Sequence, residues 1–323
     1  MTWRGFAVLL ALLCVWLAPA RTAHAQGGFP NKPVTLVVPW PPGGPTDRHL
    51  RVLAEIAGKH LGQPVIVENK PGGSGTMGGA LVSATAKPDG YTIVQLPLPI
   101  FRLPYMQKTT WDPKKDFTFI IHLTGYTLGV AVMADSPWKT WKELLAHAKA
   151  NPGALRYGTS GTGGTPHLTM ERIAEIENLK WTQVPFKGEA EVAAALLGKH
   201  VEVAASGTGL FPLVQAGQVR MLVVWTEQRA VQFPDVPTLM DSGQNLVSAS
   251  PYGLAGPKGM DPKVVQVLHD AFYKALMDPA HIKVLNDISQ PVMYKNSADY
   301  TAYAMRLIAE EQEMITKLGL GQK

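Results

Sequence analysis

Residues 37–51 read VVPWPPGGPTDRHLR, which joins the end of a strand to the start of a helix through a loop of prolines and glycines. Gly43 and Gly44 let the backbone approach a bound group closely. A helix that begins near Thr46 would present unpaired amides and about half a positive charge, which favours a carboxylate or a phosphate. Asp47, in the first helical turn, is either a helix cap or a ligand contact.

Strand-like and helix-like segments alternate along the whole chain. Up to residue 125 they follow a βαβαβ pattern, which is typical of a parallel sheet with helices on its faces. Residues 126–249 form a second α/β set, and the tail that follows has too little sheet to stand alone. We therefore predict an α/β fold of two lobes, each a mainly parallel sheet flanked by helices. Residues 26–125 plus 250–323 would form the first lobe, with hinge crossings near Gly125 and Ser250.

Residues 156–168, RYGTSGTGGTPHL, repeat the strand-loop-helix arrangement in the second lobe. This loop offers glycine backbone and hydroxyl donors at Ser160, Gly161, Thr162, Gly164 and Thr165. His167 is a further candidate for ligand binding, and its simplest alternative role is to pack or cap at the start of the following helix. Two such loops in facing lobes would direct two helix N-termini into one cleft.

The first 25 residues have the layout of a secretory signal peptide, with Arg4, an apolar run over residues 6–17 and small residues before a cleavage site near Ala25. The run is shorter than the roughly 20 apolar residues of a membrane span. Cys14 is the only cysteine in the chain. Because it would leave with the signal, the exported protein would have no disulfides and no thiolate chemistry.

Several classes of function lack support in the sequence. The formal net charge is +5 without any run of five basic residues, so nucleic-acid binding is not expected. Gly73, Gly75 and Gly78 match G-x-G-x-x-G. A dinucleotide cofactor is not predicted, because residues 69–71 separate these glycines from the strand and no acidic strand end follows. The histidines form no metal-ligand pattern, so we also predict no metal.

The alternative class of function is an exported serine hydrolase that uses Ser160. This serine lies in G-T-S-G-T, where Thr162 replaces the final glycine of the nucleophile elbow, so the motif is incomplete. Without a convincing nucleophile and base, we expect a protein that is not an enzyme.

Two large side chains near the expected cleft each allow two interpretations. Trp40 either walls a pocket and stacks on a planar ligand, or packs against the neighbouring prolines. Arg102, after the third strand, either pairs bidentately with a carboxylate or bonds backbone carbonyls at the surface.

The chain from residue 29 onward resembles the solute receptors of tripartite tricarboxylate transporters, the Bug family of periplasmic binding proteins. The resemblance depends on an ordered series of motifs rather than on any one of them. In chain order these are FPNKPVTLVVPWPPGGPTD, VIVENKPGGSGTMG, KPDGYTI, YGTSGTGGTPHL, VPFKG, QAGQVRMLVV, PDVPTLMDSG and SPYGLAGPKG.

This resemblance implies a monomeric, type II-like periplasmic receptor that closes on its ligand in the manner of a flytrap. The acid group of the ligand would be held by amides and waters of the loop from Trp40 through Pro42 to Asp47, with the loop around Ser160 closing from the other side. Where many relatives have Asp, this chain has Ser206, which disfavours ligands that need a partner for an ammonium group.

The resemblance also implies the partners of the protein. The ligand would be a small carboxylate, either a di- or tricarboxylate or an aromatic one. The receptor would deliver it to the membrane permease subunits of a tripartite tricarboxylate-type transporter. Delivery to a sensor kinase is the alternative.

Overall fold

The computed structural model describes residues 28–230 and 232–322. The predicted signal peptide, residues 1–25, lies outside the described residues. Within the described ranges, none of the helices combines the length and the apolar character that crossing a membrane requires.

The described residues form strands and helices in an alternating order. The strands are β1 (Val34–Val38), β2 (Val65–Asn69), β3 (Thr92–Pro97), β4 (Phe117–Tyr126), β5 (Gly129–Met133), β6 (Arg156–Thr159), β7 (Thr182–Pro185), β8 (Val203–Ser206), β9 (Val219–Val224), β10 (Ser250–Pro257) and β11 (Val292–Lys295). The helices are α1 (Pro45–Leu61), α2 (Met77–Thr85), α3 (Pro99–Met106), α4 (Trp141–Ala150), α5 (Thr165–Glu177), α6 (Glu189–Leu197), α7 (Phe211–Gln215), α8 (Pro262–Leu276), α9 (Pro279–Asp287) and α10 (Ser297–Lys317).

These strands build two sheets, and each sheet defines one lobe. The first lobe has the strand order β11-β4-β10-β3-β1-β2, and the second has the order β7-β6-β8-β5-β9. The tail therefore returns to the first sheet through β10 and β11, and helices flank both sheets.

Both sheets are mixed, which corrects the prediction of mainly parallel sheets. In the first sheet β1 runs parallel to β2 and β3, but β10 runs antiparallel to β3 and β4, and β11 antiparallel to β4. In the second sheet β6 is parallel to β7 and β8, whereas β5 is antiparallel to β8 and β9. A chain that leaves the first lobe along β4 and returns along the adjacent β10 must reverse its direction, and hydrophobic patterns do not record that reversal.

The two strands that carry the chain between the lobes lie side by side. Ser250 pairs with Tyr126 and Pro251 with Gly125 in the β4–β10 ladder. β5 of the second sheet begins at Gly129, so the outgoing connection is short. The predicted crossing points are thus neighbours in space.

Helix α1 positions the first glycine loop against the sheet. Its buried side chains Leu50, Leu53, Ala54 and Ala57 recur at helical spacing and join the core on one face of the first sheet. The helix ends at Gly62, whose left-handed φ of 69° is a common helix terminator. Since α1 is fixed along its length, its N-terminal end is held at the carboxyl edge of β1.

His122 of β4 should make the stability of the first lobe depend on pH. Burial lowers the pKa of His122 to about 4, from an ordinary value of 6.5. Between these values the unfolded chain binds more protons than the folded one, so the free energy of unfolding falls as the pH falls. From pH 7 to pH 5 we expect His122 to account for a loss of about 2 kcal/mol.

Urea unfolding at the two pH values would measure this effect in the natural protein and in His122→Gln. The variant should lose about that much of the pH dependence, whatever its absolute stability. Equal pH dependence in the two proteins would contradict a neutral, buried His122.

Candidate functional site

A cleft lies between the lobes and is lined by residues of both. Tyr126, Leu128 and Ser250 line it where the chain crosses between the lobes. Six of the residues predicted for the site also line it, and they come from both glycine loops: Trp40, Gly44, Thr46, Ser160, Gly164 and Thr165. The two loops therefore face each other across one cavity.

The N-termini of three helices meet at this cleft. The N-cap residues of α1, α5 and α6 are Gly44, Gly164 and Gly188, all of which line the cavity, and none provides a side-chain cap. Free amides and the positive ends of the helix dipoles therefore point toward the same space, which favours a carboxylate. The sequence indicated the first two termini at the cleft and predicted α6 as a helix, but it did not place the N-terminus of α6 there.

Hydroxyl groups at the crossing connect two helix termini to the strands that carry the chain between the lobes. Thr46 Oγ1 donates to Tyr126 Oη at 3.2 Å, and Thr165 Oγ1 lies 3.1 Å from Ser250 Oγ. The first residues of α1 and α5 are thus bonded to the ends of β4 and β10.

Trp40 forms a fixed wall of the cleft. Its indole Nε1 donates to Gln95 Oε1 at 3.1 Å, and its ring meets Tyr126 edge to face with centroids 6.4 Å apart. Its carbonyl accepts from Asn69 Nδ2 at 2.9 Å. Trp40 is therefore held by contacts within the first lobe and also lines the cavity.

The glycines that match the dinucleotide pattern have a packing role. A Cβ at Gly75 would lie 2.6 Å from the Trp40 ring, and Gly75 has a φ of +87° that disfavours other residues. A Cβ at Gly78 would lie 3.0 Å from Val37. These glycines let the indole and the start of α2 approach closely, which explains the motif without a cofactor.

Asp47 holds its own loop and does not line the cleft. Its carboxylate accepts from Gly43 N at 2.9 Å and from Asn69 Nδ2 at 2.8 Å, and it pairs with Arg51 at 2.9 Å. Burial would raise the pKa of Asp47, but these hydrogen bonds outweigh burial and lower it. Asp47 therefore stays ionised and holds the backbone of Gly43 in place. Pro42 and Gly43, which were also predicted for the site, do not line the cavity.

The middle of the second loop contacts the first lobe rather than the cavity. Ser74 Oγ donates to the carbonyl of Thr162 at 2.5 Å. A Cβ at Gly161 would lie 2.4 Å from Ser74 Oγ. His167 Nδ1 accepts from Gly163 N at 3.1 Å, and burial lowers the pKa of His167, which favours the neutral ring. His167 is thus a local anchor of the loop.

Arg102 does not reach the cleft, which corrects both interpretations of this residue. Its side chain is only 2% exposed, and its Nε lies 2.5 Å from Oε2 of Glu311 on α10. Arg102 is therefore committed to a buried ion pair between α3 and α10. The sequence could not show this, because the two residues are far apart along the chain.

Glu189, the first residue of α6, is the charged lining residue that the sequence did not indicate. Its carboxylate accepts from Gly209 N at 2.9 Å, and burial raises its pKa to about 6. Ser206 is buried at the end of β8, next to the turn that contacts Glu189, and does not line the cleft. The acidic side chain of this lining therefore comes from α6 and not from the end of β8.

Within the described ranges, no cluster of three or more acidic, histidine or cysteine side chains has a geometry suited to a metal ion.

Glycines of the second lobe lie directly against the first lobe. A Cβ at Gly188 would lie 2.9 Å from Pro41, and one at Gly163 would lie 2.7 Å from Leu103. The lobes are in contact around the cavity.

A two-lobed fold with an interlobe cleft lined by helix N-termini defines a solute-binding receptor. Residues 49–320 match the tripartite tricarboxylate transporter family receptor, and the chain belongs to this family. The family is one of periplasmic binding proteins rather than of enzymes. A Cupriavidus necator protein described as the "UPF0065 protein in gbd 5'region" is 45% identical over 98% of this chain and 96% of its own length.

Solved structures agree with this assignment. The periplasmic binding protein BugD is 28% identical, with a TM-score of 0.86 over 91% of this chain and all of its own. A Rhodopseudomonas palustris protein with adipate is 27% identical, with a TM-score of 0.85 over 91% of this chain and 99% of its own. MatC from Rhodopseudomonas palustris with bound malate is 26% identical, with a TM-score of 0.83 over 89% of this chain and all of its own.

Gly188→Ala should hold the lobes apart. The extended φ of −174° at Gly188 suits alanine, but the added Cβ would lie 2.9 Å from Pro41 when the lobes are in contact. Overpacking of this kind costs about 1–3 kcal/mol, which would shift the open-closed equilibrium by roughly 5- to 150-fold. X-ray scattering should show a larger radius of gyration for the variant.

Gly198→Ala, at the other end of α6, is the matched control, since its Cβ would first meet the exposed ring of His200. It should scatter like the natural protein. A Gly188→Ala variant with an unchanged radius would show that this contact does not limit closure.

Arg102→Met should destabilise the first lobe without weakening ligand binding. It would remove the ion-pair partner of the buried Glu311 carboxylate and leave only the more distant charge of Arg172, which costs up to about 3–5 kcal/mol. Chemical unfolding would measure the loss. Adding Glu311→Met should recover most of the lost stability, because an apolar pair replaces the ionic one. Loss of affinity in folded Arg102→Met would contradict this structural role.

Proposed function

We propose that this protein is an exported, monomeric receptor that captures a small carboxylate in its interlobe cleft. We further propose that it delivers this ligand to the membrane permease subunits of a tripartite tricarboxylate-type transporter. The convergence of three uncapped helix N-termini at one cavity is the observation that carries the proposal. Membership of the receptor family supports delivery to a transporter.

The ligand's acid group would sit between α1 and α5. The amides of Thr46 and Asp47 lie in the first turn of α1, and those of Thr165 and His167 lie in the first turn of α5. A carboxylate that accepts from both helices is held by both lobes at once. Such a ligand binds the closed state more tightly than the open one, and this difference in affinity is what drives closure.

The rest of the cavity suits an apolar ligand body. Trp40, Pro41, Pro97, Leu128 and Pro166 supply flat or aliphatic walls around the helix termini. The related structures with adipate and with malate support a small carboxylate ligand. The flat indole ring of Trp40 would also offer a stacking surface to a bulky or aromatic carboxylate.

The hinge of this receptor would lie where β4 and β10 pair. We place the lobe boundaries at residues 125 and 250, because the chain passes from one sheet to the other just beyond this pair. Tyr126 and Ser250 bond to the first residues of α1 and α5, so ligand contacts and hinge strands are directly connected.

A panel of carboxylates should identify the ligand class. Adipate, malate, benzoate and citrate would be compared with their neutral amides and with common amino acids. An acid present at 100 times its dissociation constant stabilises the folded state by about 2.7 kcal/mol, which would raise Tm by roughly 5–10 °C. Thermal unfolding and calorimetry would measure the effect.

The neutral amides are the matched controls, because they keep the shape of each acid and remove its charge. Equal stabilisation by the amides would overturn the carboxylate proposal, and stabilisation by amino acids alone would overturn the choice of a di-, tri- or aromatic carboxylate.

A further inference from the structure

Glu189 occupies a fixed position at the second-lobe side of the cleft. Its carboxylate lies between two glycines of one turn, since a Cβ at Gly207 would be 2.8 Å from Oε1 and a Cβ at Gly209 would be 3.0 Å from Oε2. Gly209 N donates to Oε2 at 2.9 Å. Gly209 itself faces Pro45 at the start of α1, at 3.6 Å from where its Cβ would be. The carboxylate is therefore built into the site, close to both lobes.

This carboxylate has no cationic partner in the cavity. Among the described residues that line the cleft, Glu189 is the single charged side chain, and none is Lys, Arg or His. Burial raises its pKa and the backbone amides of the adjacent turn, Gly209 first, lower it, with no contribution from a cation. The hydrogen bonds that hold it come from neutral groups.

The neighbouring titratable groups are neutral or point elsewhere. Burial raises the pKa of Tyr126 on β4 and of Tyr252 on β10, and the nearby charge of Glu189 raises both further. Both phenols therefore stay protonated. On α6 itself, Glu191 is exposed and accepts from the backbone of Lys187, which is also exposed. Asp47 at the start of α1 is ionised and paired with Arg51. None of these groups neutralises Glu189.

We propose that Glu189 determines which end group the ligand presents to the second lobe. Its carboxylate accepts a hydrogen bond from a donor on the ligand, such as a hydroxyl, and admits a second carboxylate only together with a proton. This inference rests on the proposed function, because it assumes that a first carboxylate occupies the helix N-termini.

The direction of the pH dependence follows from the charge of Glu189. With a pKa raised to about 6, Glu189 is mostly ionised above that pH in the free protein. A second ligand carboxylate nearby would raise the pKa further, so a dicarboxylate takes up a proton when it binds. Its affinity should fall as the pH rises above 6. A hydroxymonocarboxylate brings no second charge and should show little such dependence.

Calorimetry with adipate and with the hydroxymonocarboxylate of the same chain length would test this inference. For the natural protein we expect adipate to bind about tenfold more weakly at pH 8 than at pH 6. Glu189→Gln should remove most of that difference by strengthening binding at pH 8. Glu191→Gln, the same charge change two residues along at an exposed position, should behave like the natural protein.

Repeating the adipate titration at pH 7 in buffers of different ionisation enthalpy counts the protons directly, even if a variant folds poorly. The natural protein should take up a fraction of a proton per adipate. Equal pH dependence in all three proteins, or no proton uptake by the natural one, would overturn the role of Glu189 and leave the carboxylate receptor intact. Failure of both acids to bind the natural protein would overturn the proposed function and this inference with it.

Discussion

The antiparallel pairing of β4 with β10 is the constraint on which the rest of the molecule depends. Because Tyr126 lies opposite Ser250, the chain leaves the first sheet at the end of β4 and re-enters it beside that point at the start of β10. The second sheet begins just beyond them, at Gly129. Tyr126 also packs on Tyr252 with ring centroids 4.5 Å apart, and Tyr252 bonds to His49 of α1 at 2.6 Å. The base of the cleft is therefore continuous with the core of the first lobe and with the helix whose N-terminus faces the cavity.

Much of this arrangement could be predicted from local sequence. The glycine loops at residues 41–44 and 160–164 each precede a helix start, and such a start has the same geometry wherever it occurs, so the two facing N-termini were predictable. The direction of β10 was not, because hydrophobic patterns identify a strand but not its neighbours. The partner of Arg102 was also unpredictable, since Glu311 lies more than 200 positions further along the chain.

Glu189 was missed for a different physical reason. An acidic residue in the first turn of a helix is favoured by the helix dipole, so its presence in α6 needed no functional explanation at the level of sequence. Only the packing of α6 against the turn at Gly207–Gly209 shows that this carboxylate is held at the lining of the cleft.

A cleft that binds anions without a cationic side chain suits a protein that must also release its ligand. Helix N-termini provide strong hydrogen bonds only when both lobes surround the anion and exclude water. If the lobes separate, water would replace the bonds that come from the lobe that moves away, and none of the described lining residues is a Lys or Arg that would keep the ligand attached. The Glu189 carboxylate at the same cavity would weaken the hold on an anion further as its proton is lost. On the proposed function, the affinity of this site would therefore be set by closure, and a contact that opens the lobes would also release the ligand.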